Sequence, residues 1–353
     1  MSVNSRTVSV VVTAYNTEDR FLRECLRSIL AQEPMPHEVI LVDDGSVVPP
    51  LWVTSEFPSV QLHVQANTGV GGARDAGRRM ATGTHVMICD GDDRLLPGAL
   101  AALAAPFDSV PNLGFVAGRS IVIDENSQLV PDQMIRVVPK DARYYDLLER
   151  SWICPPSSVL FRADALAEAG GTITTSRLED WDVLLNVGWR FPFVAITDIV
   201  TDYRRHSTNV SNDLVFMMRA SWRQMAMELA KHPDDPRIRD CVRRAKRHYR
   251  LLWVRGAAVD TLRRAQNRSE WRRPGELFRD LVLVAEELPL WMVARTGLLP
   301  VATTEWEPIS SVPVTAAVVP APRRRDHPNR MRWVARANHL VRSGGGRVPS
   351  AHT

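Results

Sequence analysis

Near its start the chain runs three times through a short apolar stretch and breaks off into polar side chains. These stretches are "TVSVVVTAYN" (residues 7–16), "HEVILVDDGS" (37–46) and "THVMICDGDD" (84–93). The apolar parts are continuous rather than alternating and rich in β-branched residues, the pattern of strands buried on both faces of a parallel sheet. Between the first two lies "TEDRFLRECLRSILAQ", with Phe21, Leu22, Cys25, Leu26, Ile29 and Leu30 at helical spacing and acids at its start. "VQLHVQA" reads as a further strand and "GARDAGRRMATG" as a further helix. This order predicts an α/β fold with a mostly parallel central sheet flanked by helices. Ligands in such sheets bind beyond the carboxyl ends of the strands, so "TAYN", "DDGS" and "DGDD" are expected to meet on one rim.

The pattern loosens from Leu113 to Asn212. There "LGFVAGRSIVID" and "SSVLFR" read as strands, "ADALAEAG" and "EDWDVLLNVGWR" as helices. From Asp213 the chain is expected to be helical and arginine-rich, forming a C-terminal region over 213–300. A Pro-punctuated linker and a basic, disordered tail should follow over 301–353. That tail carries eight arginines against one acid, Asp326, between Arg323 and Arg347. Four widely spaced cysteines offer neither a zinc spacing nor a disulfide framework. The N-terminus lacks the apolar core of a signal peptide, and no stretch is long enough to span a bilayer. A cytoplasmic location is expected, with peripheral contact at the inner face of a membrane as an option for the arginine-rich helices and for "ELPLWMVARTGLLPVA". The ordinary reading of such a charge run is a solvated face. No nucleic-acid recognition module is present, so a nucleic-acid partner is not expected.

Taken singly, each motif has an ordinary reading. "DGDD" could be a solvated turn, because Asp and Gly are common turn residues. Its alternative is a carboxylate cluster for a hard divalent cation that also grips a diphosphate. The presence of the other rim clusters favours the cation. "NTGVGGARDAG" fails as a dinucleotide fingerprint, since Arg74 stands where the third glycine belongs. It remains a glycine-rich approach to a phosphate, with Arg74 as a fixed charge. The acids of "LEDWD" suit a helix N-terminus, and His206 in "DYRRHSTNVS" taken alone would be a surface or core residue.

In sequence order, "VSVVVTAYN", "SILAQ", "VILVDDGS", "NTGVGGARDAG", "ATGTHVMICDGDD", "SSVLFRADALAEAGG", "EDWDV" and "YRRHSTNVS" together resemble a family 2 glycosyltransferase of the GT-A fold, from about Thr7 to Ser211. The resemblance implies a GT-A domain over 1–212, with a nucleotide-binding half to about 110 and an acceptor half over 111–212. It implies a nucleotide pocket at Thr13, Tyr15, Asp43 and Asp44, where Asp44 accepts from the base and Tyr15 stacks on it. It places Arg74 and Asp90 at the donor, and Asp92 and Asp93 at a divalent cation (Mn or Mg) with His206 as a further ligand. Asp180 becomes the catalytic base and Glu179 orients the acceptor.

The implied reaction is an inverting single displacement from a nucleotide-sugar donor to an acceptor hydroxyl, serving cell-surface glycan, glycolipid or glycosylated-metabolite biosynthesis. The acceptor would be a glycan, a lipid-linked sugar or a small molecule. The chain lacks the Gln/Arg-x-x-Arg-Trp motif of processive synthases, so single addition is expected. "TITTSR" stands where the family often has Phe-Asp, and this loop is expected to face the acceptor. Two other readings remain. A catalytically silent scaffold is disfavoured by the intact acidic set. A nucleotidyltransferase would need a glycine-rich loop directly after the first strand, where "TAYNTEDR" stands instead.

Overall fold

The structure, a computed structural model, describes residues 6–130, 144–151, 153–171, 178–249 and 317–319. The strands are β1 (Val8–Ala14), β2 (Glu38–Asp43), β3 (Val60–Val64), β4 (His85–Asp90), β5 (Arg94–Leu95), β6 (Phe115–Ile123), β7 (Val159–Arg162) and β8 (Phe193–Arg204). They form one sheet in the order β3-β2-β1-β4-β7-β6-β8-β5. The first four are parallel. The direction then alternates, because β7 runs antiparallel to both β4 and β6 while β6 and β8 are parallel. The expected parallel sheet therefore holds in the N-terminal half and becomes mixed beyond β4.

Continuous apolar strands follow from burial on both faces. Val10 and Val12 of β1 join one core with Leu22, Leu26 and Ile29 of the Asp19–Leu30 helix. Val11, between them, joins the opposite core with Ile88, Phe115, Phe161, Phe193, Trp181 and Leu184. Phe115 and Phe193 stack at 4.6 Å between ring centres, tying β6 to β8. The longest strand, β8, escaped the sequence reading. The β-branched residues Val194, Ile196, Thr197, Ile199, Val200 and Thr201 in "FVAITDIVTDYR" are the signal that marks it.

The Val70–Met80 helix packs on β1 and β2 through Gly77. A Cβ there would lie 2.2 Å from Val11 Cγ1 and 3.1 Å from Val42 Cγ2. Glycine is thus required for close approach, and that approach presses Arg74, one turn earlier, against the rim.

In the C-terminal region, Leu214–Lys231 and residues 236–249 are helical. Ala317–Val319, within the Pro-punctuated stretch, pairs antiparallel with β8. The rest of the expected linker and basic tail, the "ELPLWMVARTGLLPVA" segment and the "TITTSR" loop lie outside the described residues. No helix among the described residues is long and apolar enough to cross a membrane.

Two predictions follow from the packing. Gly77→Ala is expected to cost about 1–3 kcal/mol by overpacking, measured by urea unfolding. The second concerns His85 at the start of β4, which meets Phe107 edge-on at 4.4 Å. Burial, helped by Arg6 and Arg162, lowers its pKa from 6.5 to about 4, with Asp164 acting in the opposite sense. Between those values the unfolded chain binds a proton that the folded chain does not, so stability should rise with pH across that window. The contribution, on the order of 3 kcal/mol, is complete above about 6.5 and lost towards 4. His85→Leu should flatten that part of a stability–pH curve.

Candidate active site

Strand register brings the polar clusters together. Thr13 is level with Asp90 on one side, and Ala14 is level with Asp43 on the other. Asp43 is fully buried and accepts from the Ser46 backbone N–H and hydroxyl, which shapes the turn after β2. That turn is tied to the one after β1: Asn16 N donates to Ser46 Oγ at 2.7 Å and Val47 N to Asn16 Oδ1 at 2.9 Å. Asp44 is 3% exposed, and its Oδ1 accepts from Gln65 Nε2 at 2.8 Å, Thr68 N at 2.9 Å and Thr68 Oγ1 at 3.1 Å. These three bonds use one carboxylate oxygen and leave Oδ2 unused among the described residues. Tyr15 is exposed beside the site and Thr13 is buried at the strand tip.

The acidic motif is held from several sides. Arg74 is nearly buried, and its Nη2 donates to Asp90 Oδ1 at 2.8 Å. Burial disfavours the guanidinium charge, but Asp90 and Asp180 outweigh it and leave the pKa raised. Burial also raises the Asp90 carboxyl; Arg74 acts in the opposite sense, while Asp92 and Asp180 add to the rise. Asp93 is fully buried: its Oδ2 accepts from Ser157 Oγ at 2.6 Å and its Oδ1 from Arg204 N at 3.0 Å. Asp92 points elsewhere and accepts from His206 Nε2 at 2.9 Å. His206 Nδ1 lies 2.8 Å from Thr208 Oγ1, and the ring stacks on Phe21 at 5.5 Å.

Asp180 opens the Glu179–Arg190 helix, where its Oδ1 accepts from Trp181 N at 2.8 Å. The buried Trp181 indole donates to the Leu147 carbonyl at 2.8 Å and fixes this end of the helix. Arg74, Glu179 and Asp180 line one cavity, and the charges of Asp90, Asp180 and Glu179 all act on Arg74. A cleft of ≈ 390 Å³, lined by Gln65, Thr68, Gly71, Gly72, Arg79 and Glu179 among others, joins the partners of Asp44 to the start of that helix.

Residues 9–170 match the family described as Glycosyl transferase family 2. This segment belongs to glycosyl transferase family 2. Glu179, Asp180 and His206 lie beyond the matched span. Among relatives, an uncharacterised glycosyltransferase, YwdF, of Bacillus subtilis is 36% identical over 104 residues, 29% of this chain and 38% of its own length. The succinoglycan biosynthesis protein ExoO of Rhizobium meliloti is 36% identical over 133 residues, 35% of this chain and 38% of its own. The chain thus spans well under half the length of these relatives. The structure resembles the mannosyltransferase PcManGT of Pyrobaculum calidifontis with a TM-score of 0.51 and 19% identity, covering 81% of this chain and 88% of that one. This likeness shows the GT-A fold.

Several residues that build the site, inside the family 2 segment and beyond it, were not singled out from sequence. Ser157 accepts from Asp90 N at 3.0 Å while donating to Asp93, so one hydroxyl holds two parts of the motif. Arg204 is fully buried. Its Nε donates to the Asp92 carbonyl at 2.8 Å, its Nη1 to Ser127 Oγ at 2.9 Å and its Nη2 to Glu24 Oε2 at 2.6 Å. Its guanidinium also lies 4.4 Å from the centre of the Phe21 ring. Behind the Glu179–Arg190 helix, Asp182 accepts from Gln224 Nε2 at 2.7 Å and Lys231 Nζ at 2.8 Å, and Lys231 also pairs with Glu228. The position of Arg204 two residues before His206 in "YRRHSTNVS" was the available hint; nothing local signals the other contacts. Ser157→Ala is expected to leave a buried Asp93 oxygen unpaired at a cost of about 1–3 kcal/mol, as thermal melting would register.

Proposed function

We propose that this chain transfers a sugar from a nucleotide-diphosphate donor to an acceptor hydroxyl with inversion. The observation that carries the reading is the convergence of Asp44, the Arg74–Asp90 pair, the Asp92–His206 pair and Asp180 on one rim. The nucleotide occupies the β1–β2 end. There Asp44 Oδ2 accepts an N–H of the base, and the exposed Tyr15 ring offers a stacking face. Asp43 supports this pocket from within by holding its turn.

A divalent cation fits the residues present. Asp92 and His206 bring an oxygen and an imidazole nitrogen within 2.9 Å of each other, and Thr208 can accept from Nδ1–H when Nε2 presents its lone pair. No group of three or more His, Cys, Asp or Glu side chains among the described residues forms a complete cage. Mg²⁺ and Mn²⁺ suit such a partial set, since they take one or two protein ligands and complete their shells with substrate phosphates and water. When bound, the cation would neutralise charge developing on the departing diphosphate. Asp93, with both oxygens already engaged, serves by holding Asp92 and the β8 end in register.

Arg74 and Asp90 orient the donor sugar, and Asp180 takes the proton of the attacking hydroxyl through Oδ2 while Trp181 N–H holds Oδ1. Glu179, which lines the adjoining cleft, orients the acceptor. Support comes from the family match and from two comparisons. ExoO takes its name from succinoglycan biosynthesis, and the Pyrobaculum enzyme is described in complex with GDP-Man and Mn²⁺.

A panel of nucleotide sugars with Mn²⁺ or Mg²⁺, scored by release of nucleoside diphosphate, tests the proposal; chelation should abolish release and added metal restore it. Asp180→Asn is expected to lower kcat by about 10²–10⁴-fold while donor affinity stays within a few-fold. Near-normal turnover by this variant would remove the base assignment.

A further inference from the structure

Directly behind Arg74 and Asp180 is a second cavity, separate from the cleft described above. It offers ≈ 20 Å³ to the centre of a water-sized group, room for about one water molecule or methyl group. Its walls are Ile88 of β4, Val159 and Phe161 of β7, Ile153 and Pro156 before β7, and Val183 and Leu184 of the Glu179–Arg190 helix. All of these except Pro156 are at most 4% exposed apolar side chains. The polar lining consists of Arg74, Glu179 and Asp180, the residues assigned above to the donor sugar and the acceptor.

Arg74 supplies the second observation. The side chain is 7% exposed, and its Nη2 is spent on Asp90. Its Nε–H is buried and finds no partner among the described residues. An unmade hydrogen bond from a buried charged donor is costly, and a bound ligand that accepts from it recovers that cost. The site therefore asks for a small group with a hydrogen-bond acceptor at one end and a methyl at the other. An acetamido group has that composition: its carbonyl oxygen accepts and its methyl is apolar.

Position on the sugar follows from the reaction, and so this step rests on the proposed donor reading. The anomeric carbon must lie near Asp180, across which the acceptor hydroxyl attacks. The substituent on the neighbouring carbon, C2, is the one that reaches a cavity beginning at Asp180 and Arg74. We propose that the donor is a 2-acetamido-2-deoxy sugar nucleotide, its acetamido carbonyl accepting Arg74 Nε–H and its methyl seated among Ile88, Val159, Phe161 and Val183. A water molecule is the competing occupant, but the mainly apolar walls leave it few partners away from the mouth.

The test uses the full chain with Mn²⁺ and matched donor pairs, UDP-GlcNAc against UDP-glucose and UDP-GalNAc against UDP-galactose. Nucleoside diphosphate release and equilibrium titration are both read, the latter without acceptor. The expected result is an acetamido preference of about 10–200-fold in kcat/KM and in donor affinity for the pair that is used. A donor with an N-butanoyl group in place of N-acetyl should lose that advantage, because the cavity holds one methyl. Val183→Ile, which adds one carbon to the wall, should reduce the preference towards unity, with circular dichroism confirming the fold. Turnover of unsubstituted donors, or of sugars lacking any C2 amide, at equal or better efficiency would overturn the inference and leave the donor reading standing. Failure of every nucleotide sugar to bind or react would sink both.

Discussion

Carboxylates crowded at the end of a buried strand must be neutralised from within the protein, and the rest of the site is arranged around that requirement. Asp90, Asp92 and Asp93 lie within four residues, and burial makes the charges of Asp90 and Asp93 expensive. Two arginines hold the motif, but only the Arg74 side chain does so through a carboxylate. Arg74 binds Asp90 from the Val70–Met80 helix, while Arg204 binds the Asp92 carbonyl by its side chain and Asp93 by its backbone N–H. Each arginine comes from a different element, so the motif is stable only when the helix behind β1 and the end of β8 are both in place.

The same arrangement links the two halves of the sheet. Arg204 reaches across to Glu24 on the Asp19–Leu30 helix, and Arg94 pairs with Asp202 while also approaching Glu24. Burial opposes ionisation of Glu24, yet Ser127, Arg204 and Arg94 outweigh it and hold its carboxyl below the usual range. Phe21, one turn earlier, meets both the Arg204 guanidinium and the His206 ring. One helix thus packs the first strands through Leu22 and Leu26 and also positions the far end of the site through Phe21 and Glu24.

The Glu179–Arg190 helix has its own foundation outside the segment matched to the family. Asp182, two residues after Asp180, faces inwards to Gln224 and Lys231 on the Leu214–Lys231 helix. Glu228 of that helix accepts from Lys231 and from the Tyr144 hydroxyl. Buried charges of this kind are stable because each is paired and hydrogen-bonded. The Leu214–Lys231 helix therefore supports the helix that carries Asp180, a role that no local motif in its sequence signals.

Local pattern determined much of this protein. Continuous β-branched runs are enough to specify strands buried on two faces, and parallel strands in register bring their ends to one rim, so the meeting of Thr13, Asp43 and Asp90 was legible from residue order alone. Which carboxylate does what was not legible. Asp92 and Asp93 are neighbours of the same type, yet one turns to His206 and the other into the core, because adjacent residues leave the chain in different directions and only distant partners decide which direction is occupied. Ser157, Arg204 and the unpartnered Nε–H of Arg74 belong to the same class. Their roles arise from contacts across scores of residues, which periodicity does not encode and which exist only once the sheet has closed around its core.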